Sequence, residues 1–169
     1  KTAALKFIVN ENKDFLRYIS GAHDKRITTI LRNLFNLTNR NLTDLIKAAI
    51  ETLKKEPKGI VIDEVDRVED FQALITTLNH IYRETQIPIF LCTNNFKTIK
   101  SIPEDAKFTL FLKPIDFPPY NVPELYNILD ERLKLVGINI PEEKKALIAA
   151  LSAGQGSARL LLDLIRTCI

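Results

Sequence analysis

The run Gly59-Ile60-Val61-Ile62, which ends in two acidic residues, restricts the fold of this chain more than any other feature. An unbroken stretch of β-branched residues between turn residues is typical of a central parallel strand that is covered on both faces. A second apolar run, Ile87–Cys92, and a weaker one, Phe108–Leu112, predict further strands. Because helix-like segments separate these runs, we expect an α/β domain with a central parallel sheet.

Apolar residues at helical spacing predict helices between the strands. The stretch Phe15–Ser20 is β-compatible and is closed by Gly21, and we expect Asp24 to cap the helix that follows. Asn41 or Thr43 would cap the next helix. The expected helical segments are about 2–14, whose core would be nearly buried on all sides, 24–35, the segment with the apolar stripe 45–53, and about 70–85.

The character of the sequence changes after the run 117–120, Phe-Pro-Pro-Tyr. From Asn121 onward the pattern predicts three helices, at about 122–136, 141–152 and 157–168, and no strand. We interpret the double proline as a hinge. The sequence therefore predicts a sheet domain over residues 1–118 and a small all-helical domain over residues 119–169.

Composition excludes several classes of protein. With 46% hydrophobic and 27% charged residues, the chain is typical of a globular domain and not of a disordered tail. No apolar run approaches the roughly 20 residues that cross a bilayer, so we expect no membrane partner. The net charge of +3 is far weaker than an obvious nucleic-acid footprint, so any DNA contact must come from a local patch. Cys92 and Cys168 lie far apart and indicate buried thiols in a reducing compartment.

Asp63 and Glu64 lie at the carboxyl end of the predicted central strand, where open α/β sheets bind ligands. In that crevice Asp63 would hold a hydrated Mg²⁺, a cation that takes oxygen ligands and bridges phosphates. Glu64, one residue further, would orient or deprotonate an attacking water. The simpler alternative is that both acids begin a turn and favour a following helix N-terminus.

Lys1 and Thr2 match the end of a phosphate-binding loop, G-x-x-x-x-G-K-S/T, which is followed directly by a helix. In that case Lys1 would reach the β- and γ-phosphates, and the Thr2 hydroxyl would be a ligand of Mg²⁺. The alternative is an arbitrary boundary of the sequence. Because the chain contains no Met, we interpret it as a fragment, a processed form or an incomplete sequence.

Two polar residues complete the candidate site. Asn94 ends the second apolar run, where a neutral side chain beside the acidic pair would hold the attacking water; it could equally be an ordinary turn residue. Arg159 lies in the first turn of the last predicted helix, where its charge opposes the helix dipole. A phosphate partner would account for Arg159, and a solvated surface arginine is the alternative.

Together these residues resemble the AAA+ family of P-loop ATPases, and within it the origin-recognition and cell-division-cycle initiators of archaeal and eukaryotic replication. Lys1-Thr2 is similar to the end of Walker A and the run 60–64 to Walker B, while Asn94 matches sensor 1 and Arg159 sensor 2. More diagnostic of initiators are the runs 117–120, 124–129 and 158–166. The resemblance implies an AAA+ base truncated at Walker A over residues 1–118, a helical lid over 119–169, and ATP or ADP with Mg²⁺ as cofactors.

The sequence departs from the initiator pattern in two places. Initiators usually carry an arginine finger that reaches a neighbouring subunit, but segment 101–116 has no arginine, and Lys107 is nearest to the expected place. Because a lysine lacks the bidentate guanidinium fork, we expect slow turnover and doubt that Lys107 stimulates a neighbour in trans. The second departure is the winged-helix DNA-binding domain that initiators carry after the lid, which this sequence does not include.

The resemblance also implies a helical element that touches DNA, in the place of segment 22–40. Its contacts would be to phosphates and independent of base sequence. The same charges could instead form a solvated helix face. The candidate DNA-contacting residues are Lys25, Arg26, Arg32 and Arg40, with His23 beside them.

Three hypotheses follow. The first is an ATP-dependent initiator that binds double-stranded origin DNA, helps to load a replicative helicase and self-associates, in the cytoplasm of an archaeal-type cell or the nucleus of a eukaryote. The second is another AAA+ helper, of the clamp-loader or transposition type. The third is a degenerate AAA+ interaction module without turnover, and ATP hydrolysis no faster than that of a Glu64→Gln variant would support it.

Overall fold

The middle strand of the sheet is β2 (Gly59–Asp63), and it pairs in parallel with β1 (Leu16–Ser20) and with β3 (Ile89–Leu91). This is the arrangement of a computed structural model that describes residues 2–154 and 156–168, without the side chain of Cys168. Within that part of the chain the sheet has three strands in the order β1-β2-β3. All five residues of β2 are buried, which confirms the prediction of a central parallel strand covered on both faces.

Two units make up the chain, Lys1–Pro114 and Ile115–Ile169. The boundary expected after residue 118 lies four residues beyond this division. The first unit contains the sheet and its helices, and the described residues of the second unit form helices and loops without a strand. The helices of the first unit are α1 (Thr2–Glu11), α2 (Ile27–Phe35), α3 (Leu42–Lys55), the 3-10 turn Val65–Arg67, α4 (Phe71–Thr85), α5 (Phe96–Lys100) and α6 (Glu104–Thr109).

The core of the first unit lies between the sheet and helices α2, α3 and α4. Ile60 and Ile62 are fully buried and belong to this core together with the apolar faces of the three helices. Because side chains alternate across a strand, Val61 and Asp63 project to the opposite face of the sheet. The core helices have the expected spacing, and Asn41 and Asp70 cap α3 and α4 through their side chains.

Helix α1 differs from the prediction of a core buried on nearly all sides. The structure leaves Phe7 67% and Ile8 50% exposed, and no residue of α1 is buried. Its packing within the described residues is chiefly against β1. The predicted helix is confirmed, but the prediction that its core is buried is wrong. An apolar stretch of this length predicts a helix without specifying which elements cover it.

The weak strand expected at Phe108–Leu112 is also wrong. Residues 108 and 109 belong to helix α6. This helix forms because Glu104 and Asp105 occupy its first turn, directly after a proline, where acidic residues favour a helix. Phe111 then ends the helical turn at a φ of 48°, and its ring is 75% exposed. The aromatic residues that indicated a strand therefore project into solvent.

Two smaller differences concern β3 and the start of α2. Strand β3 is three residues long, and Phe90 is 48% exposed because β3 pairs with β2 alone within the described sheet, so it is not a fully buried strand. Helix α2 begins after Arg26, which makes no side-chain cap. Asp24 does not cap it, because the backbone N–H of Asp24 is bonded to Ser20 in the preceding turn and its carboxylate accepts from Asn33 at 2.7 Å.

The second unit confirms the three predicted helices, as α7 (Val122–Leu135), α8 (Glu142–Ala153) and α9 (Ala158–Cys168). Asn121 and Glu124 form a capping box at the start of α7. Leu125, Leu129 and Leu161 lie at the centre of the apolar core. None of the described helices in either unit is long and apolar enough to cross a membrane.

Candidate functional site

The site is built on the carboxyl end of β2, where Asp63 and Glu64 follow each other. Asp63 is the last residue of the strand and is 1% exposed. Glu64 turns the chain out of the sheet with a left-handed backbone, φ 53° and ψ 45°. This conformation is costly for a residue with a side chain.

Two donors hold the carboxylate of Asp63. The phenol of Tyr18 donates to Oδ2 at 3.2 Å, and the backbone N–H of Glu64 donates to Oδ1 at 3.0 Å. Burial raises the pKa of Tyr18 to about 12, and the negative charge of Asp63 and the hydrogen bond to it contribute to the shift. Tyr18 therefore stays protonated and remains a donor at neutral pH.

Two other residues hold the carboxylate of Glu64. The Ser20 hydroxyl donates to its Oε2 at 3.1 Å, and Arg67 Nε lies 3.6 Å from its Oε1. The side chain of Glu64 is 26% exposed, so it reaches solvent although Asp63 does not. A carboxylate with one fixed oxygen and access to water has the properties of a base that positions a water molecule.

Gly21 allows β1 and β2 to meet closely at this end of the sheet. Its N–H donates to the Asp63 carbonyl at 2.8 Å. A Cβ at this position would lie 2.7 Å from the Glu64 carbonyl oxygen and 2.9 Å from Val68 Cγ2. Only a glycine permits this approach, and so the turn after β1 depends on it.

Asn94 follows β3 and lies on the segment that adjoins the end of β2. Backbone bonds of 2.9 Å from Cys92 to Ile62 and of 3.0 Å from Val65 to Cys92 continue the pairing beyond the strand. Cys92 is partly exposed, where a buried thiol was expected. The side chain of Asn94 is exposed, and its backbone N–H donates to Asp66 Oδ1 at 3.3 Å.

The oxygen atoms at this end of the sheet are of the chemical type that Mg²⁺ binds. The described residues contain no group of three or more His, Cys, Asp and Glu arranged to hold a metal. Mg²⁺ usually needs only one or two carboxylates, because water and phosphate oxygens complete its octahedron. Asp63, Glu64 and Ser20 present oxygen alone, which suits this cation better than zinc.

Of the predicted phosphate-binding residues, the structure describes Thr2 and Arg159. Lys1 lies outside the described residues. Thr2 is the first residue of α1 and is half-buried, and the backbone N–H groups of a helix's first turn are free to bind a phosphate. Arg159 is exposed in the first turn of α9, in the second unit, where Ser157 Oγ accepts from the Leu160 N–H at 3.3 Å.

The residue expected near the finger position, Lys107, lies in α6. Its ammonium is 2.7 Å from the Glu104 carboxylate, one turn earlier in the same helix. The side chain of Lys107 is 30% exposed and lies beside the rings of Phe108 and Phe111, which line the same 320 Å³ depression.

The candidate DNA-contacting residues differ in exposure and in the contacts of their side chains. Lys25 and Arg40 are exposed, and Arg26 is 76% exposed beside Glu69 at 3.4 Å. The guanidinium of Arg32 instead donates to the carbonyl oxygens of Asn39, at 2.9 Å, and Arg40, at 3.0 Å. Arg32 thus fixes the loop between α2 and α3.

The sequence reasoning missed Tyr18, Ser20 and Asp66. The register pairs Ser20 with Asp63 and Tyr18 with Val61, which places these side chains on one face of the sheet. Two polar residues spaced by two on a short strand were the available signal for Tyr18 and Ser20. Nothing local indicated Asp66, since its contacts are with residues 27 and 28 positions away.

The fold of this chain is that of the AAA+ P-loop ATPases. The structure of Cdc6p from Pyrobaculum aerophilum has a TM-score of 0.81 and 19% identity, covering 98% of this chain and 51% of that one. The Aeropyrum pernix ORC1 protein in complex with DNA has a TM-score of 0.73 and 22% identity, covering 97% of this chain and 47% of that one. RuvB of Thermotoga maritima follows at 0.61 and 17% identity, with 94% and 47% covered.

Curated relatives indicate the type of AAA+ domain. An ORC1-type DNA replication protein 1 of Sulfurisphaera tokodaii is 29% identical, covering 98% of this chain and 48% of the relative. That of Sulfolobus acidocaldarius is 34% identical over 116 residues, 63% of this chain and 29% of the relative. No family model matches the chain. The chain has an AAA+ fold and is similar in sequence to ORC1-type DNA replication proteins, and it spans less than half of the length of these relatives.

Proposed function

We propose that this chain is the ATP-binding and ATP-hydrolysing part of a replication initiator that binds double-stranded origin DNA and helps to load a replicative helicase. The observation that carries the proposal is the acid pair at the end of β2, with a buried Asp63 and a partly exposed Glu64 held by Ser20. Similarity to ORC1-type replication proteins supports the initiator over a clamp-loader or transposition helper.

Each candidate residue has a separate task in this proposal. Lys1 and Arg159 bind phosphate oxygens, and Thr2 and Asp63 hold the magnesium ion. Bound Mg²⁺ neutralises charge on the phosphates. Glu64 accepts a proton from the attacking water through the carboxylate that reaches solvent, while Asn94 orients that water.

Turnover is slow in this proposal, because no arginine is present in segment 101–116 to act on a neighbouring subunit. Lys107 is the residue nearest to the finger position, and because a lysine lacks the bidentate guanidinium fork it would contribute little to turnover by a neighbouring subunit. Hydrolysis would serve as a switch between states with different fits to DNA and helicase.

DNA contact is assigned to the exposed residues Lys25, Arg26 and Arg40. They would bind phosphates without reading bases, so affinity would fall steeply with salt. The Aeropyrum pernix relative with a similar fold has a structure in complex with DNA, which supports this assignment.

The test is ATP turnover by the intact natural protein, with Glu64→Gln compared with Glu51→Gln. Glu51 is an exposed acid of α3 and is the matched control. Loss of a general base lowers the rate by about 100-fold or more, so Glu64→Gln should nearly abolish hydrolysis while Glu51→Gln leaves it unchanged. Equal turnover by the two variants would exclude Glu64 as the base and favour a module without turnover.

A further inference from the structure

The segment after β3 is tied to the turn after β2 by one carboxylate oxygen. Oδ1 of Asp66 accepts the Thr93 hydroxyl at 2.8 Å and the Asn94 backbone N–H at 3.3 Å. Thr93 Oγ also lies 3.3 Å from the Asn95 carbonyl. Because a hydroxyl has one hydrogen, the shorter contact to the charged oxygen takes it.

The left-handed residue Glu64 places Asp66 where it can reach this segment. Glu64 starts the single 3-10 turn Val65–Arg67. The side chain of Val65 is 1% exposed, and its N–H donates to the carbonyl oxygen of Cys92, the residue after β3, at 3.0 Å. Both interactions hold the turn against the end of β3. Asp66 comes next and is half-buried.

The contacts of Asp66 also determine where the chain goes next. Thr93 Oγ accepts from the Asn95 N–H at 2.9 Å, and the Asn95 side chain accepts from the Lys97 N–H at 3.0 Å to cap α5. A continuous set of hydrogen bonds thus runs from Asp66 to the start of α5. Asn94 lies in the middle of this set, with an exposed side chain.

We propose that Asp66 is a positioning residue that fixes Asn94 relative to Glu64. In this role it acts by holding the backbone of Asn94 against the turn that Glu64 begins, and not by binding the attacking water or phosphate itself. One oxygen of Asp66 accepts from both Thr93 and Asn94, and Asp66 lies in the turn that Glu64 begins. The position of Asn94, which would orient the water, is therefore linked to the position of Glu64, the proposed base. The proposal rests on the roles of Glu64 and Asn94 in the proposed function.

Asp66→Ala and Asp66→Asn test the positioning directly. An asparagine keeps the acceptor oxygen, so it should preserve both hydrogen bonds, whereas alanine removes them. Amide hydrogen exchange should become about tenfold or more faster at Asn94 and Asn95 in Asp66→Ala, and should stay near the wild-type rate in Asp66→Asn. Asp14→Ala, at an exposed acid, is the matched control.

Turnover in the intact protein gives the second measurement. Misplacing a catalytic group by about 1 Å costs up to 100-fold, so Asp66→Ala should lower kcat by about tenfold while the KM for ATP stays within about twofold. Asp66→Asn should restore most of kcat. Unchanged exchange at Asn94 in Asp66→Ala, or equal losses of kcat in the two variants, would overturn the positioning role.

The two proposals fail in different ways. If Glu64→Gln leaves turnover unchanged, the proposed catalytic function fails, while exchange at Asn94 still reports whether Asp66 holds the segment. If Asp66→Ala does not fold, Thr93→Val replaces it, because valine removes the hydroxyl donor and keeps the shape of the side chain. Faster exchange at Asn94 in Thr93→Val supports the proposal, and unchanged exchange contradicts it.

Discussion

The phenol of Tyr18 lies 3.2 Å from Oδ2 of Asp63 and joins β1 to the carboxyl end of β2. Asp63 is 1% exposed, so its charge depends on the donors that the protein supplies. One is the backbone N–H of Glu64, and the other is this phenol. Strand β1, which carries Tyr18, therefore contributes to the site as well as to the sheet.

Tyr18→Phe should lower the free energy of unfolding by about 1 to 3 kcal/mol, because a buried carboxylate loses a donor. The pKa of Tyr18 is raised from 10.0 to about 12 in the folded chain. Its contribution is therefore full below about pH 10 and is lost as pH rises through about 12. Urea unfolding at neutral and alkaline pH should show the difference between wild type and variant shrinking. Tyr82→Phe is the control, and no difference at neutral pH would contradict the role of Tyr18.

Gly21→Ala should destabilise the first unit by about 1 to 3 kcal/mol, as overpacking does in well-packed regions. The added methyl would lie 2.7 Å from the backbone oxygen of Glu64, which cannot move without shifting the acid pair. Gly154→Ala is the matched control, since a Cβ there meets its nearest atom at 3.7 Å. Thermal unfolding compares the two variants, and equal melting temperatures would contradict the close approach at Gly21.

The ion pair between Lys145, which is buried, and Asp130, which is partly exposed, predicts that the second unit is less stable in acid. Lys145 Nζ is 2.7 Å from Asp130 Oδ1 and 2.9 Å from Glu142 Oε1. Hydrogen bonds from Lys134 and Lys145 hold the pKa of Asp130 below its ordinary value of 3.8, and those to Asp130 and Glu142 raise the pKa of Lys145. The contribution of Asp130 is present above pH 3.8 and is lost as pH falls through its folded value.

Asp130→Asn should therefore be less stable than wild type at neutral pH, and the gap should close in acid. Unfolding monitored by amide exchange in α7 and α8 between about pH 3 and 7 measures this. Asp163→Asn, at an exposed acid of α9 that pairs with Arg166 at 3.5 Å, is the control. A gap that is independent of pH would show that the charge of Asp130 is not the cause.

Arg26 and Arg32 should respond differently to truncation. Arg26→Ala should weaken duplex DNA binding and reduce the slope of affinity against salt by about one unit. Arg32→Ala should instead lower stability by about 1 to 2 kcal/mol, because its guanidinium holds two loop carbonyls. Fluorescence anisotropy between about 50 and 200 mM salt separates the cases. Lys54→Ala is the control, because the ammonium of Lys54 pairs with Glu84. An unchanged dependence of affinity on salt in Arg26→Ala would exclude a contact between Arg26 and a DNA phosphate.

Short-range sequence patterns were sufficient to predict several elements of the fold. The strand β2, the cap at Asn41 and the three helices after Asn121 all follow from short-range patterns. The exposed apolar face of α1 and the helix at 104–109 were missed, because apolar composition does not specify what covers a surface. Burial depends on the neighbours that the fold supplies.

The same distinction applies to the candidate site. Asp63 and Glu64 could be predicted because an apolar strand ends at them, and parallel strands bind ligands at that end. Tyr18, Ser20 and Asp66 act across 27 to 45 positions of sequence, through the strand register and the left-handed turn at Glu64. Without the register, no pattern in the sequence distinguishes them from ordinary polar residues.

Binding of Mg²⁺-ATP by the intact natural protein tests the central claim most directly. A fluorescent ATP analogue titrated with magnesium present should bind saturably to wild type and to Glu64→Gln with affinities within about twofold, since Glu64 acts on water and not on the nucleotide. Arg159→Ala should weaken binding through loss of a phosphate contact. An intact protein with a complete phosphate-binding loop that shows no saturable binding would contradict the assignment of this chain as an ATPase domain.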